Sequence, residues 1–377
     1  MRRLVVTLTW LVILSLAWPI VERIFADTNI GSFLNTLGAE LDKAKDRPKY
    51  EAAVEGFFDE IYKLLASLDS SLELPKDKPQ EAEEPEKIRL QVPDTQTFSV
   101  RNIELGDTRA QVEAMAGREK RASLNEYGVN WYAYHENYRN FFMAAYDENN
   151  RVVCLYTNQD LLSSTKGIKI GTPKEEVRNR LGEPLSRIEK ESFYYQVTGH
   201  DYDVYFIDGS YITIFYDKHE NNTVTAVQLI AGDLEKKKQD FYTDPSPQLV
   251  EGFEYQLFDL TNAARVAHGV NPLTWNEHVK YTAREHSLDM AVNNYFDHVN
   301  LSGQSPFDRM QEDRIVFAVA GENLAYGQFS SIFAHEGLMN SLGHRENILK
   351  SEFKYLGVGV AFNSESKPYY TENFFAN

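Results

Sequence analysis

The side chains best suited to chemistry gather in three short stretches of the last third of the chain. Ser341-Leu342-Gly343-His344-Arg345-Glu346-Asn347-Ile348-Leu349 sets an imidazole, a guanidinium, a carboxylate and an amide between two apolar runs. Gly343 permits a tight turn that a Cβ would resist, so His344 is expected at a turn rather than on a regular helix face. The other two stretches are Gly321-Glu322-Asn323-Leu324-Ala325 and Phe296-Asp297-His298. We expect all three to be loops that meet in one polar cleft. Nucleophilic chemistry is poorly supported. Ser341 lies near His344, and Ser287 and Ser305 lie near the other stretches, yet none sits in a Gly-x-Ser-x-Gly elbow. The single cysteine, Cys154, falls in the apolar strand-like run Arg151-Val152-Val153-Cys154-Leu155-Tyr156 and reads as a buried, inert thiol. His278 and His286 share a helix face but stand two turns, about 12 Å, apart, too far for one metal ion.

Helices and strands must position these stretches. From Pro247 the pattern is that of long amphipathic helices, with Phe253, Leu257, Leu260, Ala264 and Val266 on one face of the first. Asn262 and Arg265 are neighbours on that helix, which ends at Gly269. A second helix follows Trp275. Residues 354–362 and 368–375 read as strands joined by the polar turn Asn363-Ser364-Glu365-Ser366.

At 377 residues the chain is long enough for two or more domains. A net charge of −17 argues against nucleic acid and anionic headgroups as general partners. One cysteine excludes an intrachain disulfide, so stability must come from burial. Arg2-Arg3 precede an apolar run over residues 4–21, which as a helix would reach about 27 Å, close to the hydrocarbon thickness. The paired arginines hold the start inside. Few small residues mark a cleavage point, which favours an uncleaved anchor over a removed signal peptide. Residues 1–26 are thus expected as a membrane anchor or signal, 27–72 as a helical stalk with the stripe Val54, Phe57, Phe58, Ile61, Leu64 and Leu65, and 73–97 as a disordered, proline- and charge-rich linker.

Residues 98–236 contain an internal repeat. Ile103-Glu104-Leu105-Gly106-Asp107-Thr108, Val112 and Gly117 in the first copy match Ile168-Lys169-Ile170-Gly171-Thr172-Pro173, Val177 and Gly182 in the second. Each copy reads as a glycine turn, a short helix closed by glycine, then strands. Two duplicated α+β units facing one another are expected. No lysine or Ser/Thr follows these glycines at phosphate-loop spacing. The aromatic richness is explained by sheet packing.

Residues 247–377 carry a resemblance. Asn262-x-x-Arg265, Gly269-x-Asn271-Pro272-Leu273-x-Trp275, His286-Ser287-x-Asp289-Met290, Phe296-x-His298, Ser305-Pro306-Phe307-Asp308-Arg309, Gly321-Glu322-Asn323, Gly343-His344-Arg345-x-Asn347-Ile348-Leu349 and Gly357-Val358-Gly359 together resemble the bacterial branch of the CAP superfamily. That superfamily takes in cysteine-rich secretory, antigen-five and pathogenesis-related proteins. The middle region is similar to the CAP-associated domain of Firmicutes. The resemblance implies an α+β chain whose C-terminal domain is an α–β–α sandwich, the CAP (SCP) fold, preceded by the duplicated domain and the N-terminal hydrophobic helix.

The family lines a central cleft with two histidines and two acidic residues, and some members bind a divalent metal there. Carried over, the histidines are His298 and His344 and one acid is Glu322. Ser341 stands at the second acidic position, Leu338 at the preceding tryptophan, and Glu336 is the alternative carboxylate. Glu372 stands where glutamine is usual, as a carboxylate near the cleft or a solvent-facing charge. Some members bind sterols or fatty acids in a loop pocket, for which no long apolar loop is evident. Three readings follow. His298, His344 and Glu322 hold zinc with a water nucleophile; or Glu322 fixes a histidine tautomer without metal; or the polar groups only satisfy one another. The reading we carry forward is an extracytoplasmic, membrane-tethered recognition module of the cell envelope. Its cleft of His298, Glu322, His344, Ser341, Arg345 and Asn323 would take an envelope ligand, a lipid or a protein. A metal-dependent extracellular hydrolase and a structural envelope protein are the alternatives. Enzymatic activity and a zinc cofactor are not required by this reading, and a secreted form replaces the tethered one if the N-terminus is cleaved.

Overall fold

The computed structural model describes residues 88–190, 193–197 and 201–377. The apolar run over 4–21, the amphipathic stalk and most of the expected linker lie outside the described residues. Among the described residues no helix is long and apolar enough to cross a membrane.

The end of the expected linker, residues 88–97, is tied down. The Glu104 carboxylate accepts from the backbone N–H groups of Asp94 at 2.8 Å, Thr95 at 3.1 Å and Gln96 at 2.8 Å. Ile88 packs on the neighbouring core. A charged, proline-bearing composition is compatible with order here because its amides have a fixed acceptor.

The order then runs β1 (Phe98–Val100), α1 (Arg109–Ala116), β2 (Arg121–Leu124), β3 (Asn130–Glu136), β4 (Arg139–Tyr146), β5 (Val152–Thr157), β6 (Leu162–Ser164), α2 (Lys174–Leu181), β7 (Arg187–Glu189), β8 (Tyr194–Gln196), β9 (Tyr202–Ile207), β10 (Ser210–Asp217), β11 (Thr223–Ala231) and α3 (Gly232–Lys237). Helices α1 and α2 match in detail. Each follows a glycine in left-handed backbone, Gly106 at φ 96° and Gly171 at φ 83°. The N–H of each glycine bonds a strand carbonyl, Val152 and Val224 respectively. Each helix buries one valine, Val112 or Val177, and ends at a positive-φ glycine.

The strands differ from the expectation of two facing units. Seven of them form one antiparallel sheet in the order β2-β3-β4-β5-β11-β10-β9, while β1 pairs with β6 and β7 with β8. The halves join edge to edge where Leu155 of β5 pairs with Leu229 of β11. Helices α1 and α2 cover one face of this sheet, through Val112, Val177, Phe142, Ile214 and Leu229.

The remaining elements are α4 (Pro247–Ala267), β12 (Thr274–Trp275), α5 (Glu277–Asn293), α6 (Pro306–Glu312), β13 (Val319–Tyr326), α7 (Ser331–Met339), α8 (Leu342–Ile348), β14 (Tyr355–Phe362) and β15 (Pro368–Ala376). Ser246 caps α4 by accepting from the Leu249 N–H, and Pro247 occupies a first-turn position that has no amide to lose. The sheet order is β12-β14-β15-β13. Alternation in β14 sends Leu356, Val358 and Val360 toward α4, while Gly357 and Gly359 lie under α5. Helices therefore cover both faces, as the expected sandwich requires.

Helix α4 is buried on nearly every side because it is shared. One side packs on the four-stranded sheet. Leu260 and Ala263 on another join Trp131, Phe141, Tyr156 and Phe215 from the open face of the seven-stranded sheet. A Cβ on Gly252 would lie 2.1 Å from the Leu124 carbonyl oxygen, so this contact is made backbone to backbone. Arg121 and Tyr138 both bond the Asp259 carboxylate at 2.9 Å.

Candidate ligand-binding cleft

His298 lies in the connection that follows α5. The carbonyl of its neighbour Asp297 is 2.9 Å from Nε2 of buried His286. Glu322 sits in the middle of β13, not in a loop, and its side chain is 1% exposed. Its carboxylate is shared: Oε1 is 2.9 Å from His298 Nδ1, and Oε2 accepts from an Arg309 guanidinium nitrogen at 2.6 Å. Arg309 comes from α6, whose start is fixed by the reciprocal Ser305–Asp308 capping box. The same guanidinium donates to the backbone carbonyls of His298 at 2.8 Å and Gln304 at 3.1 Å. It neutralises the acid and clamps the histidine loop together.

His344 is on α8, the third residue of a short helix rather than part of a glycine turn. Gly343 is helical, without the left-handed backbone that would demand glycine. Ser341 places Oγ 2.8 Å from His344 Nδ1. Asn347 and Asn323 stitch this helix to β13. Asn347 donates to the Glu322 carbonyl at 3.3 Å and to Asn323 Oδ1 at 3.0 Å, while Asn323 donates to the His344 carbonyl at 3.1 Å.

The two imidazoles are driven in opposite directions. The hydrogen bond to Glu322 raises the His298 pKa, against partial burial. Burial lowers that of His344, and the charge on His298 lowers it further. His298 thus contacts Glu322, and Ser341 contacts His344, while Asn323 and Asn347 tie the helix of the second pair to the strand of the first.

Two expected cleft residues do not face it. Asn323 is fully buried and donates to Glu372 Oε2 at 3.1 Å. Arg345 turns away, pairing with Asp217 of β10 at 2.8 Å and lying 3.1 Å from His268 Nε2. Its position was set by docking of the seven-stranded sheet, which no local pattern in α8 encodes. Glu336 does not replace the second acid either. It is buried against the sheet, accepting from Tyr156 OH at 2.6 Å, and burial pushes its pKa up to about 7. Glu372 is neither solvent-facing nor in the cleft. It lies fully buried beneath it, accepting from Thr261 at 2.7 Å, and burial raises it to about 7.

Zinc ligation by His298, His344 and Glu322 does not fit this arrangement. Both Glu322 oxygens are already engaged, one by a permanent cation. Among the described residues no group of three or more His, Cys, Asp and Glu side chains is placed to hold a metal ion. Serine chemistry fits no better. Ser287 is buried between Gly359 and Thr371, and Ser305 is a helix cap. Cys154 is fully buried, with its thiol pKa raised by burial. Arg309 is the partner of Glu322 that sequence reasoning did not assign. Its signal was the Ser-Pro-x-Asp helix start, which puts Arg309 one turn in.

Comparison with known proteins agrees with this architecture. Residues 105–241 match the CAP-associated N-terminal family and residues 258–374 the cysteine-rich secretory protein family. The uncharacterized membrane protein YlbC of Bacillus subtilis is 28% identical over 290 residues, covering 72% of this chain and 82% of that protein. The uncharacterized protein YkwD of Bacillus subtilis is 40% identical over 132 residues, 35% of this chain and 50% of that protein. A crystal structure of an extracellular SCP-domain protein from Bacillus anthracis superposes with a TM-score of 0.63 at 25% identity, covering 77% of this chain and 99% of that one. A cysteine-rich secretory protein from Staphylococcus aureus shares the fold, with a TM-score of 0.57 at 16% identity, covering 76% of this chain and all of that one. The chain belongs to the CAP superfamily, in the Firmicutes form that joins a CAP-associated N-terminal domain to a C-terminal CAP domain.

Proposed function

We propose that this chain is an extracytoplasmic binding module of the cell envelope, with His298, Glu322 and His344 at the centre of its recognition surface. One observation carries the reading: beside the compensated acid stand an exposed His298 and a half-buried His344, and exposed apolar side chains flank these residues in the sequence. Phe296, Val299, Leu301, Phe307 and Leu342, all within a few residues of the cleft side chains, are each 44–66% exposed. Large apolar side chains concentrated around a few polar groups suit contact with a lipid or protein surface. Arg309 satisfies Glu322, so the acid orients His298 rather than acting as a base.

The envelope location is supported by the membrane-protein name of the Bacillus subtilis relative and the extracellular description of the Bacillus anthracis structure. Arg2-Arg3 and the apolar run over 4–21 add a membrane tether. We read the matched α1 and α2 segments as a duplication within one domain, and 98–236 and 247–377 as the two domains.

Sedimentation of the full chain with isolated envelope fragments tests the function. Wild type is expected to co-sediment, and Phe296→Ser/Leu301→Ser and His344→Ala to remain in solution. Equal sedimentation of all three proteins overturns the reading.

A further inference from the structure

A second concavity lies between the seven-stranded sheet and α7, built by both domains. It encloses about 400 Å³, within the roughly 300–1,000 Å³ range of small-molecule sites. Its walls are aromatic and interlocked. Phe333 of α7 meets Tyr202 and Phe215 of the sheet edge-on, each at 5.1 Å between ring centres, and Phe329 at 4.4 Å. Phe329 in turn meets Phe241 at 5.0 Å.

Polar groups on the lining are unevenly satisfied. Gln228 of β11 is 2% exposed, lines the cavity, and its Nε2 has no hydrogen-bond partner. Gln328 also lines it, with its buried Oε1 unpartnered. One orphaned donor and one orphaned acceptor therefore border the same hollow. A buried amide left unpaired is costly, and such groups mark places where a partner belongs. Charges on the lining are mostly accounted for. Lys218 pairs with Asp201 at 2.6 Å and Glu235 with Lys190 at 2.6 Å. Glu336 bonds Tyr156.

We propose that this interdomain cavity binds a neutral, hydroxylated ring of sugar type, stacked on Phe333 and Tyr202 and hydrogen-bonded by Gln228 and Gln328. The argument is one of matching. A sugar hydroxyl both donates and accepts, so one ligand class satisfies the orphaned donor and the orphaned acceptor together. Its C–H faces pack on aromatic rings. An anion would find the lining cations already paired and would face Glu336. An ammonium only donates, and would leave Gln228 Nε2 unpaired. This site is separate from the His298–His344 cleft and does not rest on its function.

The test titrates the full chain by calorimetry with N-acetylglucosamine and its disaccharide, with choline and hexanoate as the charged alternatives. Saturable heat is expected with the sugars only. Gln228→Leu should weaken sugar binding at least tenfold while leaving the melting temperature equal or higher, because it removes a buried orphan amide. Phe333→Leu should weaken binding as well. Absence of saturable sugar binding, preference for choline or hexanoate, or unchanged affinity in Gln228→Leu each overturns the proposal.

Discussion

Arg309 and His298 hold opposite oxygens of the Glu322 carboxylate, at 2.6 and 2.9 Å, and Arg309 also grips the backbone carbonyl of that same histidine. The guanidinium is 8% exposed and the carboxylate 1%. Removing the cation strands a buried negative charge. Arg309→Ala is expected to cost about 3–5 kcal/mol, read as a lower urea midpoint, with Arg309→Lys in between because it loses the fork but keeps the charge. A midpoint within error of wild type for Arg309→Ala would contradict this account of the acid.

The two cleft histidines should titrate in a fixed order. His298 is raised by Glu322 and His344 is lowered by burial. Imidazole NMR resonances followed against pH should show His298 losing its proton at higher pH than His344. Glu322→Gln should bring the His298 midpoint back toward about 6.5. By linkage, the stabilisation from protonated His298 is complete below its unfolded pKa and fades as pH rises through the higher folded value. The reverse titration order would show that the hydrogen bond to Glu322 does not form in solution.

Glu372 contributes stability that is lost as pH rises. Burial lifts its pKa from 4.5 to about 7, with hydrogen bonds from Thr261 and Asn323 opposing. Between these values the folded chain keeps a proton that the unfolded chain releases, so its contribution to ∂ΔG/∂pH is negative there. Glu336 is raised to the same value, also by burial. Buried His135 and His335, lowered by burial to about 4 and about 3, oppose this trend below about 6.5, so the contribution of the acids is read from the difference in melting temperature between variant and wild type from pH 5 to pH 7.5. Glu372→Gln, which can still accept from Asn323 and donate to Thr261, should gain on wild type across that range. A difference that does not change with pH would assign the pH dependence elsewhere.

Two glycines separate packing from chemistry. A Cβ on Gly359 would lie 2.0 Å from the Arg284 backbone nitrogen of α5. Gly359→Ala must push helix from sheet and should cost about 3 kcal/mol or more. Gly343 has open space around its Cβ position and helical backbone. Gly343→Ala should therefore leave stability unchanged or raise it by up to about 1 kcal/mol, with His344 still in place. Denaturant melts of the pair decide the matter, and a strongly destabilised Gly343→Ala would restore the need for a turn there.

Local pattern made much of this legible. The helix face of Phe253, Leu257 and Leu260 and the strand around Gly357 and Gly359 each follow from spacing alone. The contact between His298 and Glu322 was anticipated through the family resemblance, which set both in one cleft. The rest depends on contacts between distant segments. Glu322 and Asn323 looked like loop residues because strands seldom bury such groups; Arg309, Asn347 and Glu372 make it possible. Arg345 was misplaced because its partner, Asp217, lies 128 residues away. The single sheet was hidden because β5 and β11 pair across about seventy intervening positions.

The double use of α4 has a practical corollary. Leu260 and Ala263 share one oily layer with Trp131, Phe141, Tyr156 and Phe215. Cutting the chain between 241 and 247 would wet all of these rings at once. A laboratory fragment beginning near Pro247 would expose the apolar face of α4 that Leu260 and Ala263 contribute to this layer. Reporter tags and affinity handles belong at the outer ends of the polypeptide, never at the seam.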